Sequence, residues 1–324
     1  MSAINHQLAL EAVRVAEVAA LAASKLIGLG DEKAADQAAV DAMRTALNEM
    51  PMSGVVVIGE GERDEAPMLF IGEEVGQGGP GIDIALDPLE GTTITAKAMA
   101  GSLAVLAFAD RGNFLHAPDV YMDKIGVGGG LPADLINIEA PTSENLANLA
   151  KAKGCAVSEL TACILDRPRH EELIAKTREA GARIALITDG DVSGVIATTV
   201  ADSGIDIYMG SGGAPEGVLA AAALRCIGGQ FQGKLLFRND DERNRAHRVG
   251  ITDLNRVYSL EELASGNVIF AATGVTTGTM LQGLKRIPGG AVTQSISMNS
   301  ATGTVRTIIA EHHFANNPRF ARWA

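Results

Sequence analysis

The feature that most constrains the fold is a regular alternation of strand-like and helix-like segments between Ala162 and Cys226. Each strand-like run is short and apolar, whereas each helix-like segment is longer and mixes apolar with polar residues. Strands are predicted at 162–165, 184–187 and 205–209, and helices at 171–180, 192–200 and 215–226. Because a helix that connects two strands of one sheet brings them together in parallel, this region predicts an α/β lobe with a mainly parallel sheet.

The first half of the chain has a different pattern, and we expect a mixed sheet in this lobe. Two Ala-rich segments predict helices, and three apolar runs predict strands. The helices are expected at 8–27 and 34–47, the strands at 54–59, 82–86 and 104–109, and two further β-rich runs occur at 292–298 and 305–309, after a charged stretch at 238–248. We expect two lobes, 1–141 and 142–324, divided near Pro141, with the option that the late strands return to the first lobe.

The excess of acidic residues limits the classes of partner. The chain has 39 Asp and Glu residues against 27 Lys and Arg residues, a formal net charge of −12. Nucleic-acid binding requires basic surfaces that neutralise phosphates, so we expect no nucleic-acid partner. A phosphorylated substrate would need metal cations between it and so acidic a protein.

Features that report on location point to the cytoplasm. Three cysteines, Cys155, Cys163 and Cys226, lack the spacing of a metal site and favour a reducing compartment. The N-terminal residues lack the basic and apolar regions of a signal peptide. There is also no uninterrupted apolar run of about 18 residues, the length that spans a membrane. We therefore expect a cytoplasmic protein without a membrane partner.

The strongest chemical signal is the segment 87–93, directly after a predicted strand. Pro88 and Gly91 fix a tight turn, and the carboxylates of Asp87 and Glu90 lie three residues apart. The amides that follow are expected to open a helix. Such a turn can hold cations on one side and a phosphate on the other, because hard divalent cations take a few carboxylates together with water and substrate phosphate. An ordinary solvated turn would not account for both carboxylates.

A second acidic loop follows the preceding predicted strand. Residues 59–65 contain four acids after a fully apolar run, namely Glu60, Glu62, Asp64 and Glu65. Charge clusters are usually solvated, but loops at the strand ends of open α/β sheets gather functional groups, so we expect the two acidic loops to converge. Asp36, within a predicted helix, and Glu216, at the start of another, are further candidate acids.

Four motifs occur in a fixed order: Gly-Glu-Gly-Glu at 59–62 continuing to Met68, Asp-Pro-Leu-Glu-Gly-Thr at 87–92, Asp-Gly-Asp at 189–191, and Gly-Gly-Ala-Pro-Glu-Gly at 212–217. This combination resembles the class II fructose-1,6-bisphosphatases of the lithium-sensitive metal-dependent phosphatase superfamily, some of which also cleave sedoheptulose 1,7-bisphosphate. The resemblance implies a layered α/β/α/β sugar-phosphatase fold and a sugar bisphosphate substrate. It also implies Mn²⁺ or Mg²⁺ as the cofactor and a homodimer or homotetramer.

Carried onto the matching positions, the resemblance implies a set of site residues. The implied metal ligands are Asp36, Glu60, Asp87, Glu90 and Glu216. The implied substrate contacts are Glu90, Gly91, Thr92, Tyr121, Arg167, Pro168, Arg169, Asp189, Gly190, Asp191 and Gly213. The implied catalytic residues are Thr92, Asp36 and Asp64. These residue types suit the roles, since guanidinium groups bind phosphate in a bidentate geometry and carboxylates accept hydrogen bonds from sugar hydroxyls.

The resulting hypothesis is metal-assisted hydrolysis of the 1-phosphate of D-fructose 1,6-bisphosphate. Bound metal polarises the scissile phosphate and activates water. Thr92 orients that water, and Asp36 orients the Thr92 hydroxyl, so no covalent phosphoenzyme is needed. Lone histidines, among them His170 and His312, are interpreted as structural or exposed and receive no role.

Three alternatives remain open from the residues alone: nucleotide binding, for which there are two weak signals, a phosphatase with another substrate, and a metabolite sensor. Gly210–Gly213, between a predicted strand and a predicted helix, suggests nucleotide binding, although the acid expected about 20 residues later is not evident. Residues 228–234 are a near-match to a phosphate-binding loop, but Leu235 stands where Ser or Thr is required. A phosphatase acting on inositol or nucleotide phosphates would share the carboxylate loops. A non-catalytic metabolite sensor would leave these loops without a chemical role.

Overall fold

The computed structural model describes residues 6–61 and 68–316. The chain forms two compact units: the first extends to Phe114 and resumes at Gly266, and the second spans Leu115–Ser265. The sequence prediction placed a lobe boundary near Pro141, which lies within the second unit. In the described residues, no helix is long and apolar enough to cross a membrane.

Helices and strands occur in both units and confirm the predicted α/β class. In chain order the described α-helices are α1 (His6–Ser24), α2 (Glu32–Asn48), α3 (Thr92–Ala96), α4 (Thr142–Lys153), α5 (Glu171–Glu179), α6 (Asp191–Ala197), α7 (Ala214–Ile227), α8 (Asp240–Arg248) and α9 (Leu260–Leu263). The described strands are β1 (Ser53–Ile58), β2 (Glu74–Val75), β3 (Gly81–Glu90), β4 (Leu103–Asp110), β5 (Tyr121–Gly128), β6 (Thr161–Leu165), β7 (Arg183–Ile187), β8 (Ile207–Gly213), β9 (Gly229–Leu236), β10 (Val257–Ser259), β11 (Val268–Gly274), β12 (Lys285–Ile287), β13 (Gly290–Asn299) and β14 (Thr304–His313).

The first unit is built on an eight-stranded mixed sheet. Its main order is β2-β1-β3-β4-β11-β13, and both β12 and β14 also pair with β13. β1 and β3 are parallel, whereas the other pairs described in this sheet are antiparallel. The strands after Gly266 therefore complete the sheet that β1–β4 begin.

The core of the first unit lies between this sheet and the helices α1 and α2. Both helices are rich in alanine, and fully buried residues such as Ala16 and Ala39 let the helix backbones approach closely. Larger side chains such as Phe108 fill the space from the sheet. Asp31 caps the start of α2, where its side chain accepts a hydrogen bond from the amide three residues later at 2.9 Å. Capping and core packing together fix the helix that carries Asp36.

The second unit contains a six-stranded sheet in the order β10-β9-β5-β8-β6-β7. β6, β7 and β8 are parallel neighbours, as the strand–helix alternation predicted. The prediction of a mainly parallel sheet was nevertheless wrong. β5 lies between β8 and β9 and is antiparallel to both, and β10 is antiparallel to β9. α7 still connects two strands of the same direction, but a strand from an earlier segment, where none was predicted, separates them.

Candidate active site

The carboxylates of the strongest motif lie at the end of β3, where a β-bulge interrupts the strand. Asp87 pairs with Val105 and Glu90 with Leu103, so a three-residue step on β3 opposes a two-residue step on β4. Within the bulge, Asp87 Oδ1 accepts a hydrogen bond from the backbone amide of Leu89 at 3.0 Å. The strand is longer than predicted, and both carboxylates lie within it rather than beyond its end.

The turn after Glu90 opens helix α3, as the sequence predicted. Glu90 itself is buried, with 4% of its surface exposed. Gly91 has a φ of +90° and precedes the first helical residue, Thr92. A side chain at this position would be strained by the backbone conformation and would also approach Ile94 at 3.1 Å. Glycine is therefore required here for both conformation and space.

The other predicted acids of the first unit lie on neighbouring elements. Asp36 is half-buried on α2, which packs against α3, and burial raises the pKa of its carboxyl group. Glu60 lies two residues after β1, and its backbone amide donates a hydrogen bond to the Leu69 carbonyl at 3.0 Å. Asp64, the third predicted catalytic residue, lies outside the described residues.

The remaining predicted ligand, Glu216, lies in the first turn of α7 in the second unit. Its Oε2 atom is buried and has no hydrogen-bond partner among the described residues. Burial and then the nearby charge of Asp191 raise the pKa of Glu216 to about 7, while the charge of Lys124 acts in the opposite direction. A buried carboxylate oxygen without a donor is unfavourable unless a cation or a ligand binds it.

The five predicted ligands suit a hard divalent cation. All are carboxylates, the ligand type that Mg²⁺ and Mn²⁺ prefer. In the stretches that the structure describes, no three Asp, Glu, His or Cys side chains come together as a metal-binding group. The acids between positions 62 and 65 lie outside those stretches. The donor chemistry and the buried Glu216 oxygen without a partner are the features that fit a cation.

A buried ion pair holds Asp191, which lies near Glu216 in the second unit. Lys124 Nζ lies 2.5 Å from Asp191 Oδ2, and neither side chain is more than 7% exposed. Lys124 comes from β5 and Asp191 from the first turn of α6, 67 residues away in sequence. Because Lys124 also acts on Glu216, one buried cation serves two carboxylates. Asp191, a predicted substrate contact, is thereby held in one position.

Two glycines of the 212–217 motif make room for these charges. A Cβ atom at Gly212 would clash with the carboxylate of Asp191, and one at Gly213 would clash with that of Glu216. The motif is thus explained by close packing of charged side chains against the end of β8. Any larger residue would displace one of the two carboxylates.

Arg169 is held beside Tyr121 by the end of β8. Its guanidinium carbon lies 4.9 Å from the Tyr121 ring centroid, and its Nε and Nη2 atoms donate to the Ser211 carbonyl at 3.1 and 2.7 Å. His170 supports Ser211. Its Nε2 atom accepts a hydrogen bond from the Ser211 amide at 2.8 Å, and its Nδ1 atom donates one to the Leu165 carbonyl at 2.7 Å. This pairing requires neutral imidazole, and burial lowers the pKa of His170.

The predicted substrate contacts of the second unit gather at one edge of its sheet. Arg167 follows β6, and Asp189 follows the parallel neighbour β7. Gly213 ends β8, which is parallel to β6, and Tyr121 at the start of β5 pairs directly with it. Gly190, with a φ of +85°, precedes α6. The carboxyl ends of parallel strands are the usual position of ligand sites in open α/β sheets.

Sequence reasoning missed the residues that support these contacts. Lys124, Ser211 and His170 were assigned no function, yet Lys124 pairs with Asp191, Ser211 accepts from Arg169, and His170 in turn holds Ser211. The only sequence signal for Lys124 is a lysine next to the apolar run that begins at Ile125. Its partner is distant in sequence, so the pattern alone could not identify the ion pair.

Comparison with protein families decides the class of protein. The model of the family described as bacterial fructose-1,6-bisphosphatase, glpX-encoded, matches residues 6–312. The chain belongs to this family. The match spans residues of both compact units.

Curated relatives of this fructose-1,6-bisphosphatase family align over almost the whole chain. Two, from Synechococcus sp. strains JA-3-3Ab and JA-2-3B'a(2-13), are each 44% identical over 335 residues, covering 95% of this chain and 96% of the relative. A third, from Trichodesmium erythraeum (strain IMS101), is 43% identical over 337 residues, covering 96% and 97%. All three are named D-fructose 1,6-bisphosphatase class 2/sedoheptulose 1,7-bisphosphatase.

Membership of the glpX-encoded fructose-1,6-bisphosphatase family makes this chain a phosphatase, a phosphoric monoester hydrolase, as the motifs predicted. It rules against the metabolite-sensor and nucleotide-binding alternatives. The structure gives the physical reason for the second, because Gly210–Gly213 belongs to strand β8 rather than to a loop. Similarly, most of the segment 228–234 forms strand β9.

Proposed function

We propose that this phosphatase hydrolyses the 1-phosphate of D-fructose 1,6-bisphosphate to fructose 6-phosphate and phosphate, and that it also accepts sedoheptulose 1,7-bisphosphate. The observation that carries the proposal is the family match over residues 6–312, together with relatives named for both activities. When bound by Asp36, Glu60, Asp87, Glu90 and Glu216, Mn²⁺ or Mg²⁺ supplies the positive charge that polarises the scissile phosphate and activates water.

In the first unit, the proposed catalytic step depends on Thr92. Its hydroxyl orients the attacking water, and Asp36 accepts a hydrogen bond from that hydroxyl. Asp64 is the third proposed catalytic residue. The packing of α2 against α3 supports the pairing of Asp36 with Thr92. Two backbone hydrogen bonds of 2.9 Å, which tie the turn before α2 to α3, support it further.

In the second unit, the proposed roles concern substrate binding. Arg167 and Arg169 bind the phosphate that is not cleaved, while Asp189 and Asp191 accept hydrogen bonds from sugar hydroxyls. Arg169 and Asp191 are already held by Ser211 and Lys124. Less side-chain freedom is therefore lost when the substrate binds, which favours affinity.

The test is phosphate release from fructose 1,6-bisphosphate by the purified protein with Mn²⁺, with Mg²⁺ and with a chelator. Sedoheptulose 1,7-bisphosphate and inositol 1-phosphate serve as comparison substrates. Metal-dependent release from the two sugar bisphosphates is expected, and the chelator should abolish it. Release from inositol 1-phosphate alone would contradict the proposed substrate class.

We also propose that the enzyme works in the cytoplasm as a homodimer or homotetramer. The three cysteines are free thiols, which suits a reducing compartment. β14 pairs only with β13 among the described strands and exposes Val305 and Ile309, so this face is available to another subunit. Light scattering on the purified protein would measure the assembly, and a monomer mass would reject it.

A further inference from the structure

Arg238 lies in the connection between β9 and α8, next to the sheet edge that carries the substrate contacts. β9 pairs with β5, and Leu236 stands opposite Tyr121. On its other side, Tyr121 pairs with Gly213 at the end of β8. This register brings Arg238, two residues beyond Leu236, to the predicted substrate contacts.

Two guanidinium groups lie over the ring of Tyr121. The guanidinium carbons of Arg169 and Arg238 are 4.9 and 4.8 Å from the ring centroid. Both distances are within the range of a favourable cation–π contact. Two like charges beside one ring repel each other, so an anion bound by both would relieve that repulsion.

Arg238 is oriented by Glu242, a residue of α8. Glu242 Oε1 accepts a hydrogen bond from Arg238 Nε, and Oε2 accepts one from the Arg238 backbone amide, both at 2.7 Å. The Glu242 side chain is 1% exposed, whereas that of Arg238 is 61% exposed. Asn239 fixes the turn between them by accepting a hydrogen bond from the Glu242 amide at 2.9 Å. A buried carboxylate thus holds an accessible guanidinium in a defined place.

Both arginines keep donor groups that the described residues do not use. Arg169 uses Nε and Nη2 on Ser211, and Arg238 uses Nε and Nη2 on Glu242. The negative charge of Asp119 also attracts Arg238. Arg169, in contrast, has no carboxylate within ion-pair distance in the described part of the chain. Positive charge and unused Nη1 donors therefore remain for a ligand, and a phosphate dianion matches both.

We infer that Arg238 binds the phosphate that is not cleaved, together with Arg169, and makes the enzyme prefer sugar bisphosphates to monophosphates. The inference rests on the proposed function and adds a specificity residue to it. A substrate with phosphates at both ends reaches the two guanidinium groups, whereas a sugar phosphorylated only at the scissile position does not.

The experiment compares Arg238→Met and Arg238→Lys with the wild type on two substrates. With fructose 1,6-bisphosphate and saturating metal, Arg238→Met should raise KM about 10- to 100-fold, the usual effect of one lost charged hydrogen-bonding partner, while kcat changes little. With fructose 1-phosphate, which lacks the remote phosphate, kcat/KM should stay within about twofold of the wild type. Arg238→Lys should be intermediate, because lysine keeps the charge but loses the planar group.

The chain offers a matched control in Arg256. It also lies over a tyrosine, 5.2 Å from the Tyr258 ring centroid, and it pairs with Glu262 at the start of α9. Arg256→Met therefore removes the same kind of contact, and it should leave KM for both substrates unchanged. Thermal unfolding of each variant separates a binding defect from a folding defect, and binding of fructose 6-phosphate, measured by calorimetry, reports the remote phosphate directly.

The outcomes are distinguishable. If the wild type hydrolyses fructose 1,6-bisphosphate and Arg238→Met keeps the wild-type KM, the inference about Arg238 is wrong and the proposed function stands. The inference would also be overturned if Arg238→Met lowered kcat/KM equally on both substrates. The same holds if Arg256→Met raised KM as much as Arg238→Met does. If the wild type hydrolyses neither substrate, the proposed function fails instead. Calorimetry with fructose 6-phosphate then still decides whether Arg238 binds a sugar phosphate.

Discussion

The two units position their site residues by different means. In the first, Asp87 and Glu90 are placed by a bulge and a glycine turn, which are features of the backbone. In the second, Asp191 is placed by the oppositely charged side chain of Lys124, and Arg238 by that of Glu242. Backbone features thus place two of the predicted metal ligands, whereas ion pairs hold the groups proposed to contact the substrate. The comparison predicts that mutations act differently in the two units.

The largest expected effect is on the stability of the second unit. Lys124→Met leaves the buried Asp191 without its cation and should lower the free energy of unfolding by about 3–5 kcal/mol. Lys234→Met is the control, because its partner Glu139 is 59% exposed and such pairs contribute about 1 kcal/mol or less. Urea unfolding measures both. Equal stability of the two variants would show that the buried pair does not hold this unit together.

The next effect is on catalysis in the first unit. Thr92→Ala should lower kcat about 10²- to 10³-fold with little change in KM, because its proposed contact with water matters mainly in the transition state. Thr93→Ala, one residue along the same helix, should keep most of the activity. Steady-state kinetics with fructose 1,6-bisphosphate measures both. A large rise in KM with kcat intact would assign Thr92 to substrate binding alone.

The smallest effect concerns Glu17, a buried acid of the first unit that no lysine neutralises in the described residues. Burial raises its pKa to about 7; a hydrogen bond of 3.0 Å from Thr293 and the charge of Arg14 oppose the shift, and His312 Nε2 lies 3.8 Å away. Because the folded-state pKa exceeds the unfolded value, the folded protein binds the proton more tightly. The resulting stability is complete below the ordinary pKa of 4.5 and is lost as the pH rises through about 7.

Glu17→Gln keeps an acceptor for Thr293 and removes this titration. Relative to the wild type, the variant should gain up to about 3 kcal/mol between about pH 5 and pH 8. Urea unfolding at several pH values measures the difference. Glu11→Gln on the same helix, whose glutamate is 33% exposed, is the control. Parallel stability curves for the wild type and Glu17→Gln would show that this acid titrates normally.

The local structure of the motifs was predicted better than the contacts that surround them. The turn and the helix after Asp87 were predicted because they depend on neighbouring residues in the chain. The order of strands and helices predicted that β6 and β7 are parallel and end at the same edge of the sheet. The position of β5 was not predictable, because sheet order is set by packing of whole strands. Lys124 and Arg238 were missed for a related reason, since each gains its meaning from a partner that only the folded sheet brings close.

The neutral state of His170 has a consequence for how the proposed substrate contacts of the second unit respond to acidity. Its ring donates to one backbone group and accepts from another, so a second proton would break the bond that positions Ser211 and, through it, Arg169. Burial moves that protonation to lower pH. Arg169 should therefore present the same donors throughout the range around neutral pH. A change in affinity in that range should therefore follow the ligand, whose phosphate loses its second proton near pH 6, or Glu216, whose pKa is raised to about 7, rather than Arg169.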